Sequence, residues 1–180
     1  TLTLRITSQA EVSAVQLNGK SAEISKSEEK INASTSLQRI AIRFPGVAPG
    51  GTLVATVDYK LNIKDNGPVA SVSSVGSQFL PLSFWYPTPN SWFFTKGADM
   101  APVRIKVTAP SGMQVISAGT ESSGAFDQKL AIQPFFVAGD WNVSDRTGVS
   151  LHLPKGVSAD GQRIGNELAD LFLQARTFCE

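Results

Sequence analysis

The sequence is poor in the residues from which most metal and nucleophilic centres are built. Its 180 residues hold one histidine and one cysteine. A zinc site based on imidazole needs two or three histidines or a mixture with thiolates, so no HExxH helix exists in this chain and no metal site is expected in it. The single thiol, Cys179, excludes an intrachain disulfide and carries no information about redox compartment. An excess of either charge is missing too: 16 basic against 15 acidic residues leave a formal charge of +1. No basic cluster with interleaved aromatics is present, so nucleic acid is not an expected partner. No apolar run reaches the roughly 20 residues of a membrane-spanning helix. The first residues show neither an initiator methionine nor a basic-then-apolar signal pattern. The chain opens inside a strand pattern and closes inside a helical one, so it reads as a truncated piece of a longer protein. Its length is enough to bury a real core without staples.

What is present is alternation. Leu2, Leu4 and Ile6 share one side of the opening stretch, and Val15 and Leu17 precede Asn18-Gly19, a strong signal for a tight hairpin turn. Ile40, Ile42 and Phe44 alternate up to Pro45-Gly46. From Leu53 through Ala55, Val57, Tyr59 and Leu61 to Ile63 the pattern is unbroken, which predicts one long strand with a wet face, turned back by Asp65-Asn66-Gly67-Pro68. Further strands are predicted around residues 103–109, 113–117, 129–132 and 148–153. The period changes at the end, where Ile164, Leu168, Leu171, Phe172, Ala175 and Phe178 fall on one helical stripe, capped by Ser158 or Asp160. The expected fold is mainly β, antiparallel sheets packed face to face as a β-sandwich or partly closed on themselves. It is followed by a C-terminal helix that begins a second domain. The boundary is set at 143/144, giving an N-terminal β domain of residues 1–143 and a strand-plus-helix unit of residues 144–180.

Catalytic motifs are scarce. GxSxG is missing, and no glycine-rich loop ends in a phosphate-binding GK[ST]. Ser27-Glu28-Glu29-Lys30 has the form SxxK, but that chemistry needs a helix, and the stretch reads as a polar loop between strands. His152 lies between Leu151 and Leu153 on a strand, which predicts a half-exposed surface residue. Asn32-Ala33-Ser34 and Asn142-Val143-Ser144 are glycosylation sequons in form only. No catalytic residue is assigned.

One segment stands apart. Residues 84–94, FWYPTPNSWFF, hold six of the chain's fifteen aromatics. Large aromatics supply the most buried area per residue, so the segment can fill a seam between sheets. Equally, Pro87 and Pro89 can stiffen a loop that presents Trp85, Tyr86 or Trp92 to a ligand such as a sugar ring or a peptide side chain. Alternate residues point opposite ways, so both readings can hold for one segment.

The order of these features resembles the N-terminal β domain of the zinc aminopeptidases of the aminopeptidase N type. The resemblance runs from the VSAVQLNG turn through IAIRFPGVAPGG and the long strand TLVATVDYKLNI. It continues through SFWYPTPNSW and VRIKVTAPSGMQVISAGT to IQPFFVAGDWNV, where such chains pass into their catalytic domain. It implies a saddle-like, non-catalytic accessory β domain, residues 1–143, that braces a thermolysin-like metallopeptidase domain beginning at residue 144. Zinc would be held by that missing catalytic domain, with the remainder of the chain as partner and a peptide as substrate. Trp85, Tyr86 and Trp92 would be the contributions to the substrate cleft. The segment NSWFFTKGADMAPV stands where the family carries a PC-x-DEP box, which implies a divergent, bacterial branch. The alternative is a stand-alone β-sandwich module for carbohydrate or protein ligands.

Overall fold

A computed structural model describes residues 1–33, 35–89, 101–129 and 133–179. Trp92 and the strand expected at residues 129–132, apart from Lys129, lie outside them. The described residues form antiparallel sheets and one C-terminal helix, a mainly β fold with no closed barrel. The first half is a sandwich of two three-stranded sheets. One sheet orders β1 (Leu2–Thr7), β5 (Ser36–Ile42) and β4 (Ile24–Lys30), and the other orders β3 (Lys20–Ser21), β2 (Ala10–Leu17) and β6 (Ala55–Leu61).

The alternation of the sequence explains the packing. Leu4 and Ile6 of β1 and Ile40 and Ile42 of β5 project from one sheet, with Val12 and Val15 of β2 from the other. Tyr59 and Leu61 of β6 pack against the same cluster. Ile6, Ile40 and Ile42 are fully buried, and each such side chain contributes about 1.5–3 kcal/mol relative to exposure. The register is pinned at the Asn18-Gly19 turn, where both residues adopt positive φ (47° and 76°) as a two-residue hairpin requires. Burial also pushes the Tyr59 hydroxyl above its ordinary pKa near 10, because desolvation disfavours the phenolate.

Strand β4 corrects the sequence reading. Ser27 to Lys30, read as a polar loop, belongs to a seven-residue strand paired with β5 along its whole length. It lacks apolar alternation because it is an edge strand, and charged side chains on such an edge discourage further pairing. Ser27 and Lys30, three residues apart on a strand, project to opposite faces and do not form an SxxK pair.

A four-stranded sheet follows, ordered β10 (Gln114–Ser117), β13 (Phe136–Gly139), β8 (Gly76–Phe79) and β7 (Ala70–Val72). A three-stranded sheet orders β11 (Thr120–Ser122), β12 (Ala125–Gln128) and β9 (Val103–Ile105). Last come the hairpin β14 (Trp141–Arg146) and β15 (Val149–Pro154) and the helix α1 (Ala159–Cys179). The expected 143/144 boundary falls within β14, whose register with β15 runs unbroken from Trp141 to Arg146.

Ser158 caps α1 by accepting from the Gly161 amide at 3.1 Å, while Asp160 in the first turn and Arg176 in the last complement the helix dipole. The helix docks on the hairpin through its two buried small residues, Gly165 and Ala169. A Cβ at Gly165 would stand 2.8 Å from Leu153 Cδ2, so a glycine here permits the close approach. Arg146 of β14 adds hydrogen bonds to Asp170 and Asn166.

Candidate functional site

The aromatic segment begins with a tight turn in which Ser83 donates to the Leu80 carbonyl through both its amide (3.2 Å) and its hydroxyl (2.7 Å). Leu82 and Phe84 adopt φ of 77° and 52° there, a left-handed conformation that is unusual for residues with a Cβ. From Phe84 the chain runs along the free edge of β1. The Thr7 amide donates to the Phe84 carbonyl at 2.9 Å, and Arg5 and Thr88 exchange amide and carbonyl at 2.7 and 2.9 Å. Pro87 and Pro89 bracket Thr88, whose N–H donates to the Arg5 carbonyl of β1. The segment thus covers an edge that would otherwise be an open template for pairing. Arg5 reinforces this corner by bonding Glu29 of β4 through Nε at 2.8 Å and reaching the Pro89 carbonyl at 3.5 Å.

Trp85 is half-buried in a cluster of rings. Phe79 of β8 and Phe136 of β13 are register partners stacked at 5.0 Å, and Trp85 meets Phe136 edge-on at 5.2 Å and Phe79 at 6.3 Å. Its indole N–H donates to the Pro134 carbonyl at 3.3 Å. Tyr86 packs edge-on against Trp85 at 5.1 Å and is also half-buried. The two therefore form a seam that joins the edge of the first sandwich to the four-stranded sheet, an arrangement worth about 0.5–1.5 kcal/mol per aromatic pair beyond its buried area.

Beside this seam lies an open cleft of about 210 Å³, bounded by the ends of β1, β5 and β6 and by the 80–85 turn. Trp85 lines it with Phe79, Leu61 and Asp65. Tyr86 instead faces, with the other side of Trp85, a hollow of about 10 Å³. Of the three aromatics singled out in the sequence, Trp85 and Tyr86 are brought together, one of them at the cleft, and Trp92 is outside the described residues. The other lining residues were missed because they come from segments far apart in sequence. Asp65 signalled only a turn, and nothing in the pattern around Leu82 announced a positive φ.

The remaining polar candidates stay apart. Among the described residues no group of three His, Cys, Asp or Glu side chains is placed to hold a metal ion. His152 is half-buried opposite Val143, with no hydrogen-bond partner at Nδ1 among the described residues, and Cys179 is exposed at the end of α1. No helix among the described residues is long and apolar enough to cross a membrane.

The second surface feature is on α1. Ile164, Leu168, Leu171 and Phe172 are 48–60% exposed, and Phe178 is 92% exposed. They lie beside the Gly165 and Ala169 contact, not in it, so the apolar stripe faces away from the hairpin. Compared with known proteins, the chain matches no family model, no curated protein and no solved structure at a significant level.

Proposed function

We propose that residues 1–143 are a non-catalytic accessory domain of a zinc aminopeptidase-like metallopeptidase, bracing a catalytic unit that begins at residue 144 and includes α1, and lining its substrate cleft through the aromatic segment. The observation that carries the reading is the uncovered stripe of Ile164, Leu168, Leu171 and Phe172. A patch of large apolar side chains in regular helical register marks a surface that further protein covers. The order of sequence motifs supports the choice of family, and it is the only support for zinc, which the catalytic unit and not these residues would hold. Trp85, Tyr86 and Trp92 are the residues by which the domain would reach a peptide substrate.

The alternative, a stand-alone module that stacks sugars or peptides on an open aromatic face, is less well supported. Trp85 is tied by three rings and a backbone carbonyl, and Tyr86 is packed against it.

The test is hydrogen exchange on residues 1–180 alone and on the full product of the same reading frame, together with zinc analysis of both. Extra protection of α1 in the longer product, with stoichiometric zinc there and none on residues 1–180, supports the reading. Unchanged exchange along α1, or stoichiometric zinc on residues 1–180 alone, contradicts it.

A further inference from the structure

The cleft beside Trp85 has chemistry that the bracing role does not use. Its walls combine apolar side chains, Leu61, Ile63, Val69 and Leu82 with Trp85, and the neutral polar side chains of Thr7, Gln9, Thr35, Ser36 and Ser83. Asp65 is the one formally charged residue that lines it, and it makes no ion pair among the described residues. The turn that carries Asp65 is well anchored. The Lys64 amide donates to Gln9 Oε1 at 3.4 Å, Asn66 Oδ1 accepts from the Val72 amide at 2.9 Å, and the Gly67 amide donates to the Ala70 carbonyl at 2.8 Å. The backbone on either side of Asp65 is thus anchored beside the cleft.

The 80–84 turn also lines the cleft, through Leu82 and Phe84, the two positive-φ residues of this turn. Residues held in sparsely populated backbone conformations gather at ligand clamps more often than elsewhere. The volume of about 210 Å³ is below the roughly 300–1,000 Å³ of pockets for drug-sized ligands. It leaves room for one ring with a short chain, and not for a peptide of several residues.

We propose that this cleft binds a small apolar ammonium ion, its hydrocarbon body against Leu61, Ile63 and Trp85 and its charged end at the Asp65 carboxylate. The Asp65 carboxylate attracts a cation and repels an anion, while the aliphatic and aromatic side chains take up the hydrocarbon body. The inference stands apart from the docking role of α1, since no α1 residue lines the cleft.

The test is a titration of the ¹⁵N-labelled protein at low salt with 2-phenylethylamine and with its neutral isostere 2-phenylethanol, followed through backbone amide shifts. The amine is expected to shift the amides of Gln9, Leu61, Gly67 and Ala70 saturably and to bind about three- to fivefold more tightly than the alcohol, the contribution of one exposed charge pair. In Asp65→Asn the amine should fall to the affinity of the alcohol, while the alcohol, which reports that the cleft is intact, stays unchanged. Equal affinities in the unmodified protein, a preference that survives Asp65→Asn, shifts at other amides, or no saturation would each overturn the proposal. Tighter binding of glucose at the same amides would overturn it as well.

Discussion

The first sandwich and the C-terminal helix carry the same kind of apolar pattern and end in opposite states. In the sandwich, Ile6, Ile40 and Ile42 retain no measurable exposure, because each sheet supplies the cover for the other. On α1, Leu168 and Leu171 remain 60% and 59% exposed, because the helix spends its two small residues on the hairpin and turns its large ones outward. The contrast teaches that amphipathic periodicity specifies which face wants burial but not what buries it. Where another element covers the face the pattern becomes core, and where none of the described residues does the pattern stays at the surface.

Substitution can break this comparison at either end. The largest effect is expected from Ile40→Ala in the closed region, which should lower unfolding free energy by about 2–5 kcal/mol in urea denaturation. A smaller loss would mean that the two sheets pack less tightly than described. Next, Leu82→Gly in the turn beside the sandwich should raise stability by about 1 kcal/mol, since glycine adopts positive φ without the Cβ penalty and Leu82 is half exposed. A net loss would show that the leucine side chain is needed more than its backbone strain costs. On the open stripe, the double change Leu168→Ser and Leu171→Ser should shift stability by less than about 1 kcal/mol, mostly helix propensity. A loss comparable to that of Ile40→Ala would mean the stripe is already buried.

The smallest effect concerns pH and sharpens the closed side. Tyr59 packs against the sandwich core, and burial raises its pKa above 10. The folded state therefore holds the phenol proton more tightly than the unfolded chain, so this contribution is complete below pH 10 and is lost as pH rises through the folded value. The denaturation midpoint should fall as pH rises above 10, and Tyr59→Phe should flatten that fall. An equally steep alkaline limb in the phenylalanine variant would place its origin elsewhere.

The parts of the fold that were legible in the sequence are those where one physical signal dominates. Alternation from Ala55 to Leu61 gave β6 its buried and wet faces, and Asn18-Gly19 announced its turn through a backbone requirement few other pairs meet. Strand β4 escaped because an edge strand with charged side chains looks like a loop when only apolar period is followed. Strands β7 and β8 escaped because three and four residues are too few to display a period. The aromatic segment was legible as composition, and its two readings remained open because sequence does not say which ring points inward. Tertiary pairing decides that: the Thr88 bridge to Arg5 swings Trp85 into the seam against Phe79 and Phe136. The cleft was not legible at all, being assembled from the ends of strands separated by up to about half the chain.

The most direct test of the contrast between closed and open apolar faces is methyl NMR of dilute protein in the presence of a soluble paramagnetic agent. The account predicts strong broadening of the Ile164, Leu168 and Leu171 methyl signals while those of Ile6, Ile40 and Ile42 stay sharp. Equal protection of the two sets would contradict it, because α1 would then have found its cover without a partner.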